Sequence, residues 1–303
     1  MEIIFMGTPE FAACSLEKIN SSGYEIAAVF TQPDKPKNRG MKLEASPVKL
    51  LAQSMGIPVY QPKTLRDTQV ENTIRDINPD LIVVVAYGKM LPENILNIPR
   101  LGCINVHASL LPQYRGAAPI QWSILNGDSK TGVTIMFMAP ELDAGDIISQ
   151  RETEIDPNET SGELFERLKT IGAELLTDTM PDIEAGKSTR TKQDDALVTF
   201  APPLDKDMSP IDWSRTAIEI KNHVRGLSTW PVATAQLDGR SFKIYEAQAV
   251  QGNTGAQPGR IISADEDGIH VACGDGAVLI KQLQAAGKKR MSASDYLRGN
   301  PFG

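Results

Sequence analysis

Two polar side chains with complementary chemistry stand two positions apart at the end of a short apolar run. Asn105 and His107 lie in the segment 102–107, and the alternation of side chains along a strand places both on one face. An imidazole can take a proton from an attacking amine and deliver one to a leaving nitrogen, because it titrates near neutral pH. A neighbouring carboxamide can stabilise the negative charge that develops in acyl transfer. The pair indicates acyl transfer, although a strand-ending histidine beside a loop asparagine gives the same pattern.

Two carboxylates that could support this histidine follow in the loop 141–146. Asp143 or Asp146 could orient the imidazole of His107 and fix its tautomer, as carboxylates do in other proton-transferring sites. Both are also ordinary turn residues, suited to hydrogen bonds with their own backbone. Because Asp146 comes where a strand begins, Asp143 is the stronger candidate.

Motifs for several other chemistries are missing from the sequence. The first strand-to-helix turn holds one glycine, Gly7, where a dinucleotide fingerprint needs three, and there is no P-loop motif. Ser109 lacks the flanking glycines of a nucleophile elbow. The three cysteines are far apart, and no cluster has metal-ligand spacing. We therefore predict neither a disulfide framework nor a bound metal.

The elements that must position this chemistry alternate between strand and helix patterns in the first half. An uninterrupted apolar run at 81–86 predicts a central strand buried on both faces. The alternation predicts an α/β fold, a Rossmann-like, doubly wound, mostly parallel sheet. Strand patterns lie at 2–6, 25–30, 57–60, 80–86, 102–107, 132–139 and 146–154. Helix patterns lie at 9–22, 45–55, 65–77, 116–125 and 161–183, the first with Thr8 as N-cap and Pro9 at the first helical position.

The residue composition of the chain changes near residue 190. The segment 190–206 is polar and then proline-stiffened, which predicts a linker. A short helix pattern follows at 214–225. Short strands with glycine-rich turns predict a small OB-like β-barrel, at 232–237, 241–250, 259–263, 268–273 and 277–284. The predicted domains are a catalytic domain at 1–189, a linker at 190–206 and a β-barrel domain at 207–303.

The charge of the chain is unevenly distributed. The net charge is −7, and residues 1–206 hold 20 basic against 28 acidic side chains, whereas residues 207–303 hold 11 against 10. An acidic total argues against a nucleic-acid partner, which usually requires a basic footprint. Locally, however, the proline- and glycine-containing loop 31–43 carries four basic residues. That loop is either a phosphate-binding segment or a solvated hairpin tip.

The compartment is predicted from the apolar content of the chain. Its longest apolar stretch, 81–87, is far shorter than the roughly 20 residues that span a bilayer. The first residues lack the charged flank and cleavage site of a signal peptide. We expect a cytoplasmic protein with no membrane partner.

Several segments resemble one enzyme family. Residues 105–119 (NVHASLLPQYRGAAP) resemble the signature of the folate-dependent formyltransferases, and residues 142–146 (LDAGD) resemble that family's catalytic aspartate loop. Residues 5–12, 31–40, 211–214 and 226–231 resemble in particular the members that act on methionyl-tRNA. The resemblance extends over essentially the whole chain.

The resemblance implies transfer of a formyl group from 10-formyltetrahydrofolate, a co-substrate, to the α-amine of methionine on initiator tRNA, for translation initiation. It implies a monomer whose catalytic residues are Asn105, His107 and Asp143. The implied folate-binding residues are Ser109, Leu110, Leu111, Pro112, Ala86, Tyr87 and Leu91. The implied tRNA-binding residues are Arg39, as the leading candidate, with Lys35, Lys37, Lys42 and Lys206.

Two other functions are compatible with the same segments. One is a formyltransferase that acts on a small amine, such as an amino-sugar nucleotide. The other is a folate-sensing or RNA-binding protein on the same scaffold. Asn105, His107 and Asp143 argue against the second, because a protein that only binds has no need of a proton shuttle.

Overall fold

The computed structural model describes residues 1–37, 42–252 and 254–302, with only the backbone described at residues 36, 37 and 42. The chain divides into two compact units. The first comprises Met1–Pro119, Thr131–Thr153 and Phe165–Ala201, and the second comprises Ile120–Lys130, Glu154–Leu164 and Pro202–Gly303. The domain limits 1–189, 190–206 and 207–303 stay predictions.

Strands and helices alternate up to residue 201. The strands are β1 (Glu2–Gly7), β2 (Glu25–Phe30), β3 (Lys35–Lys37), β4 (Lys42–Glu44), β5 (Val59–Tyr60), β6 (Leu81–Val85), β7 (Cys103–His107), β8 (Arg115–Gly116), β9 (Lys130–Phe137), β10 (Ile147–Glu154) and β11 (Phe200–Ala201). The helices are α1 (Glu10–Ser21), α2 (Pro47–Ser54), α3 (Thr68–Ile77), α4 (Glu93–Leu96), α5 (Pro119–Leu125) and α6 (Ser161–Glu184).

Seven of these strands form one sheet, in the order β10–β9–β7–β6–β1–β2–β5. The strands from β5 to β7 in that order run parallel, and β9 joins β7 in the antiparallel direction. The strand order reverses between β1 and β6. Open α/β sheets bind ligands beyond the carboxyl ends of the strands at such a reversal. The predicted Rossmann-like, mostly parallel sheet is confirmed.

The centre of this sheet is the apolar strand β6. Each of its residues is buried, because β1 and β7 flank it and side chains on both faces are covered. Ile82 and Val84 share a hydrophobic cluster with Ile4 and Met6 of β1. The strand therefore holds the loop that follows it, at 86–92, on a rigid base.

The start of α1 differs from the prediction. The helix begins at Glu10, with Pro9 as its N-cap and no side-chain capping bond. Thr8 does not cap the helix, because its hydroxyl is engaged elsewhere: Oγ1 donates to the carbonyl of Tyr87 at 3.2 Å and accepts from the amide of Gln32 at 3.3 Å. Thr8 thus joins the segments that follow β1, β2 and β6, at the carboxyl edge of the sheet.

Two short strand pairs were not predicted. Within the loop 31–43 and just beyond it, β3 and β4 form a small antiparallel hairpin. Further along, β11 pairs in parallel with β8, so the carboxyl-terminal part of the first unit, up to Ala201, folds back on the segment after β7. Strands of two or three residues lack the length that makes an alternating pattern visible in a sequence.

The second unit is built on an antiparallel sheet. Its elements are α7 (Ala217–Gly226), β12 (Ala233–Leu237), β13 (Arg240–Gln251), β14 (Ile261–Asp265), β15 (Gly268–Ala272), β16 (Gly276–Ala285), β17 (Met291–Ser292) and α8 (Ala293–Gly299). The strand order is β12–β13–β16–β15–β14, with β17 paired to β16. Ile220 and Val224 of α7 pack with Phe242 of β13 and Tyr296 of α8 in one core. The prediction of a separate β-rich unit is confirmed.

None of the helices within the residues that the structure describes is long and apolar enough to cross a membrane.

A buried arginine makes the second unit sensitive to substitution. Arg225 is 7% exposed, and burial lowers the pKa of its guanidinium. It donates to the side chain of Asn222 and to the carbonyls of Asp156 and Glu159, at 2.9, 3.3 and 3.0 Å. Arg225→Met removes all three hydrogen bonds of the buried guanidinium, so we expect the free energy of unfolding to fall by about 2–3 kcal/mol, measured by urea denaturation.

Arg298→Met is the matched control. Arg298 is paired with Asp295 three residues away, but its side chain is 78% exposed, and such pairs contribute at most about 0.5 kcal/mol. Equal urea midpoints for the two variants would show that the Arg225 hydrogen bonds do not stabilise the unit.

Candidate functional site

Asn105 and His107 lie on β7, between β6 and β9. Asn105 is aligned with Val84 of β6 and Met136 of β9, and His107 is the last residue of the strand. Neighbouring strands on both sides fix the backbone of β7, and the two side chains share one face. Asn105 is half-buried and His107 is buried. Within the residues that the structure describes, the Asn105 carboxamide has no hydrogen-bond partner.

A backbone carbonyl holds the ring of His107. Its Nε2 lies 2.9 Å from the carbonyl oxygen of Tyr114. A carbonyl oxygen can only accept, so hydrogen-bond geometry assigns the proton to Nε2 and leaves the lone pair of neutral His107 on Nδ1. The nitrogen that can accept a further proton is therefore Nδ1.

Asp143 is the carboxylate beside that nitrogen. Its Oδ2 lies 3.7 Å from Nδ1 of His107, with the two side chains 13% and 6% exposed. The same oxygen accepts a 2.8 Å hydrogen bond from the amide of Gly116. Contrary to expectation, the carboxylate does not fix the tautomer, because Tyr114 already does so from the other nitrogen. Asp143 is placed to stabilise the imidazolium that forms when Nδ1 is protonated.

The backbone contacts of Tyr114 and Gly116 were missed by reasoning from side-chain types. Both residues have positive φ, of 62° and 129°. A Cβ at Gly116 would lie 2.5 Å from the carbonyl oxygen of Ala201, so only glycine allows the pairing of β8 with β11. The signal available in the sequence was Gly116 itself, a glycine at the end of the segment that follows His107.

The candidate folate residues after β6 divide into two groups. Ala86 is exposed, with φ +44°, whereas the side chains of Tyr87 and Leu91 lie in the hydrophobic core. Burial raises the pKa of Tyr87 to about 12, and its hydroxyl has no partner among the described residues. The Tyr87 carbonyl accepts from Gln32 at 2.9 Å. Of the three, Ala86 is the residue whose side chain a ligand can reach.

The candidate folate residues after β7 form a braced turn. The Ser109 hydroxyl donates to the carbonyl of Gln113 at 2.6 Å, and the Leu111 amide donates to Thr134 of β9 at 3.1 Å. Ser109 and Leu111 are buried, whereas Leu110 and Pro112 are half-buried. The surface that this turn offers to a ligand is therefore apolar, and the polar atoms of Ser109 serve the turn itself.

The candidate tRNA-binding loop is anchored at its base. Asp34 accepts from Lys49 and from Gln61, both at 2.7 Å, and these hydrogen bonds lower the pKa of Asp34. Lys35 is exposed at the start of the hairpin. Burial, with a smaller contribution from Lys35, lowers the pKa of Lys89 in the segment after β6. Two cations therefore lie near this edge of the sheet.

The other tRNA-binding candidates are described only in part. Arg39 lies outside the described residues, and at Lys37 and Lys42 the backbone alone is described. Lys206 is exposed in a short 3-10 helix of the second unit, Lys206–Met208.

No group of three histidine, cysteine or carboxylate side chains comes together as a metal site in the described parts of the chain.

The chain matches two protein families along its length. Residues 1–180 match the formyl transferase family, and residues 203–301 match the family described as formyl transferase, C-terminal domain.

Two relatives of nearly the same length share one name. The methionyl-tRNA formyltransferase of Alkaliphilus oremlandii is 51% identical over 300 residues, which cover 99% of this chain and 97% of that protein. The methionyl-tRNA formyltransferase of Geotalea uraniireducens is 50% identical over 299 residues, covering 99% and 95%.

A solved structure shares the fold at much lower identity. The N-formyltransferase from Helicobacter canadensis, in complex with folinic acid and dTDP-3-aminofucose, has a TM-score of 0.71 and 18% identity, and the match covers 93% of this chain and 99% of that one.

Proposed function

The chain belongs to the formyl transferase family, and from this membership we propose that it transfers the formyl group of 10-formyltetrahydrofolate to the α-amino group of methionyl-initiator tRNA. The observation that carries the proposal is the similarity, over nearly the full length, to methionyl-tRNA formyltransferases. His107 and Asp143 support it, since their arrangement suits the movement of a proton between two nitrogens.

The formyl donor fits the surface at the carboxyl edge of the sheet. A pterin ring is flat, with polar edges and aromatic faces, and Ala86, Leu110 and Pro112 offer apolar surface against which a face can pack. We assign these residues to direct contact, and Tyr87, Leu91, Ser109 and Leu111 to the support of that surface. When bound, the donor supplies an activated formyl group on a nitrogen that can leave.

The reaction moves one formyl group and one proton. The neutral amine forms a bond to the formyl carbon, and the bond from that carbon to the folate nitrogen breaks. Nδ1 of His107 takes the proton that the amine loses and returns it to the departing folate nitrogen, so the imidazole ends as it began. Asp143 stabilises the imidazolium between the two transfers, because its Oδ2 faces Nδ1. The Asn105 carboxamide donates to the formyl oxygen as negative charge develops there.

The tRNA is proposed to bind through the basic loop and the second unit. An acidic total charge does not prevent this, because local cations decide where a phosphate backbone lies. The proposal assigns Arg39 the leading contact, with Lys35, Lys37, Lys42 and Lys206 in support. It further includes a monomeric enzyme in the cytoplasm, where aminoacylated tRNA is available.

Arg39→Ala tests the tRNA contact. We expect KM for methionyl-tRNA to rise about tenfold or more, because a hydrogen bond to a charged group contributes about 1.5–3 kcal/mol. KM for the formyl donor should stay unchanged. Arg75→Ala is the control. Arg75 pairs with Glu71 on α3, so this substitution removes one positive charge at a different place in the protein. An equal rise in both variants would mean that Arg39 acts through net charge alone.

A transfer assay with a labelled formyl donor tests the function itself. The purified protein is offered initiator methionyl-tRNA, elongator methionyl-tRNA and amino-sugar nucleotides in parallel. We expect label on initiator methionyl-tRNA. Label on an amino-sugar nucleotide alone would assign the small-amine activity, and binding of donor or RNA without transfer would assign a sensing or binding role.

A further inference from the structure

One carboxamide in the segment after α6 is bonded to the loop of the site aspartate. Gln193 Nε2 donates to the backbone carbonyls of Asp143 and Gly145, at 2.7 and 2.8 Å. Its Oε1 accepts from Nε and Nη2 of Arg115, at 3.0 and 2.8 Å. All four hydrogen-bonding positions of the carboxamide are thereby used. Gln193 is half-buried and lies 50 residues beyond Asp143, so this contact is a product of the tertiary fold.

Arg115 connects this carboxamide to the segment that holds His107. It stands between Tyr114, whose carbonyl accepts from His107, and Gly116, whose amide donates to Asp143. Arg115 is 8% exposed. The contacts from Asp143 through Gln193 to Arg115 therefore complete a ring around the imidazole of His107. Each residue of this ring makes direct hydrogen bonds.

Both loops of this ring have backbone conformations that need external support. Asp143 has φ +48° and Tyr114 has φ +62°, a region that L-residues occupy only when the surroundings hold them. At Gly145, a Cβ would lie 1.7 Å from the carbonyl oxygen of Phe137, so the loop passes against β9 with no space to spare. A change in its support will move Asp143 rather than be absorbed within the loop.

The same segment holds the other loop through its backbone. The Tyr114 amide donates to Oγ1 of Thr199 and the Arg115 amide to the carbonyl of Thr199, both at 2.9 Å. The stretch 191–201, which the sequence predicts as linker, therefore contacts both loops that touch His107.

We propose that Gln193 is a positioning residue for formyl transfer, which sets the separation between Asp143 and His107 by holding the Asp143 loop to Arg115. The inference rests on the proposed function. Gln193 touches neither reacting group; it acts through the backbone of Asp143 and, by way of Arg115, through the residues on either side of that arginine.

Two substitutions separate the two halves of this contact. Gln193→Glu keeps an acceptor for Arg115 but turns a carboxylate oxygen towards the carbonyls of Asp143 and Gly145, which repel it. Gln193→Met keeps the volume and removes both sets of hydrogen bonds. We expect each variant to lower kcat by about 10–100-fold, with both KM values within about threefold of wild type, because misplacement of a catalytic group by about 1 Å affects the transition state more than binding.

Thr189→Val is the matched control on the same segment. Thr189 donates to the carbonyl of Ile148 at 2.9 Å, so this variant also removes a hydrogen bond from side chain to backbone. We expect it to leave kcat unchanged and to shift the melting temperature less than Gln193→Met does, because it removes one hydrogen bond where that variant removes four. If all three variants lowered kcat alike, Gln193 would be a stabilising residue only and the proposal would be wrong.

A double-mutant cycle tests whether Gln193 acts through Asp143. In the Asp143→Asn background we expect Gln193→Met to lower kcat by less than about threefold more, because coupled residues are not additive. A full additional loss would show an independent role and overturn the proposal.

A spectroscopic readout does not depend on activity. Because the chain has three histidines, ¹⁵N-histidine labelling gives few signals, and His107 is assigned from the His107→Ala spectrum. We expect Gln193→Glu to change the Nδ1 shift of His107 and leave His223 and His270 unchanged. An unchanged His107 signal overturns the positioning role. Lack of transfer by the wild-type protein is a different result, which counts against the proposed function.

Discussion

We expect His107→Ala to lower the single-turnover rate of formyl transfer by about 10²–10⁴-fold, the range that general acid–base catalysis contributes. The amine must lose a proton and the folate nitrogen must gain one. The Asp143 carboxylate, 13% exposed beside the histidine, already accepts a hydrogen bond from the amide of Gly116, which makes it a poor substitute as base. Without the imidazole, proton transfer falls to water.

The hydrogen bond of the His107 ring predicts how activity of the His107→Ala variant can be restored. Nε2 of His107 is committed to the Tyr114 carbonyl, so the rate should depend on a base at the position of Nδ1. Added imidazole should restore part of the rate of His107→Ala, since the deleted ring leaves space for it. Restoration separates a role in proton transfer from a role in folding, because a misfolded site would not respond to the small molecule.

His270→Ala is the control for the loss of a histidine. Its Nδ1 is bonded to the Ser263 hydroxyl at 2.8 Å in the second unit, and we expect the single-turnover rate with saturating substrates to stay at the wild-type value. A His107→Ala protein that transfers formyl at a rate within about threefold of wild type would contradict the mechanism.

The fold was predictable because its determinants are local and periodic. The apolar run of β6 is continuous, so burial on both faces follows from composition alone, and the structure buries all of Leu81–Val85. Asn105 and His107 share one face because side chains alternate along a strand with a period of two residues. This placement follows from the strand alone and needs no tertiary contact. The antiparallel strands β12–β16 follow short strand patterns separated by turn residues, whereas no pattern predicted the two-residue β17.

The support of the site was not predictable, because it is made by backbone groups and by distant residues. The carbonyl of Tyr114 has no signature in its side chain, and the positive φ of Asp143 is visible only in the folded chain. Gln193 sits in a polar stretch whose composition is typical of a linker. The pairing of β11 with β8 converts that stretch into part of the first unit. Thr8 illustrates the same limit, since a hydroxyl that suits a helix cap was used instead to join two loops.

The charge of the chain shows why local features outweigh totals. The acidic excess belongs to residues 1–206, yet the basic loop lies within them. Long-range steering follows the net charge, whereas contact with phosphate follows individual cations. The expected consequence is modest, salt-sensitive tRNA binding that depends on few side chains.

Asn105→Ala is expected to lower kcat by about 10²–10³-fold, the cost of removing one donor aimed at a developing oxyanion. The carboxamide of Asn105 has no hydrogen-bond partner within the residues that the structure describes, so its polar atoms are available to a ligand. Strands β6 and β9 flank β7 at this residue and fix the direction of its Cβ. The direction in which the side chain leaves the strand is therefore set before substrate binds, and a donor aimed in advance is effective in the transition state.

The same lack of protein partners makes Asn105→Ala a clean test. Because no internal hydrogen bond is lost, we expect the melting temperature to change by less than about 2 °C. Asn105→Asp has nearly the same shape but sets a carboxylate against the developing charge, so it should lower kcat at least as far as alanine does. Asn20→Ala, at an exposed position on α1, is the control and should retain the wild-type rate. A rise in KM alone for Asn105→Ala would assign the carboxamide to substrate binding, because only a loss confined to kcat identifies a contact that is made in the transition state.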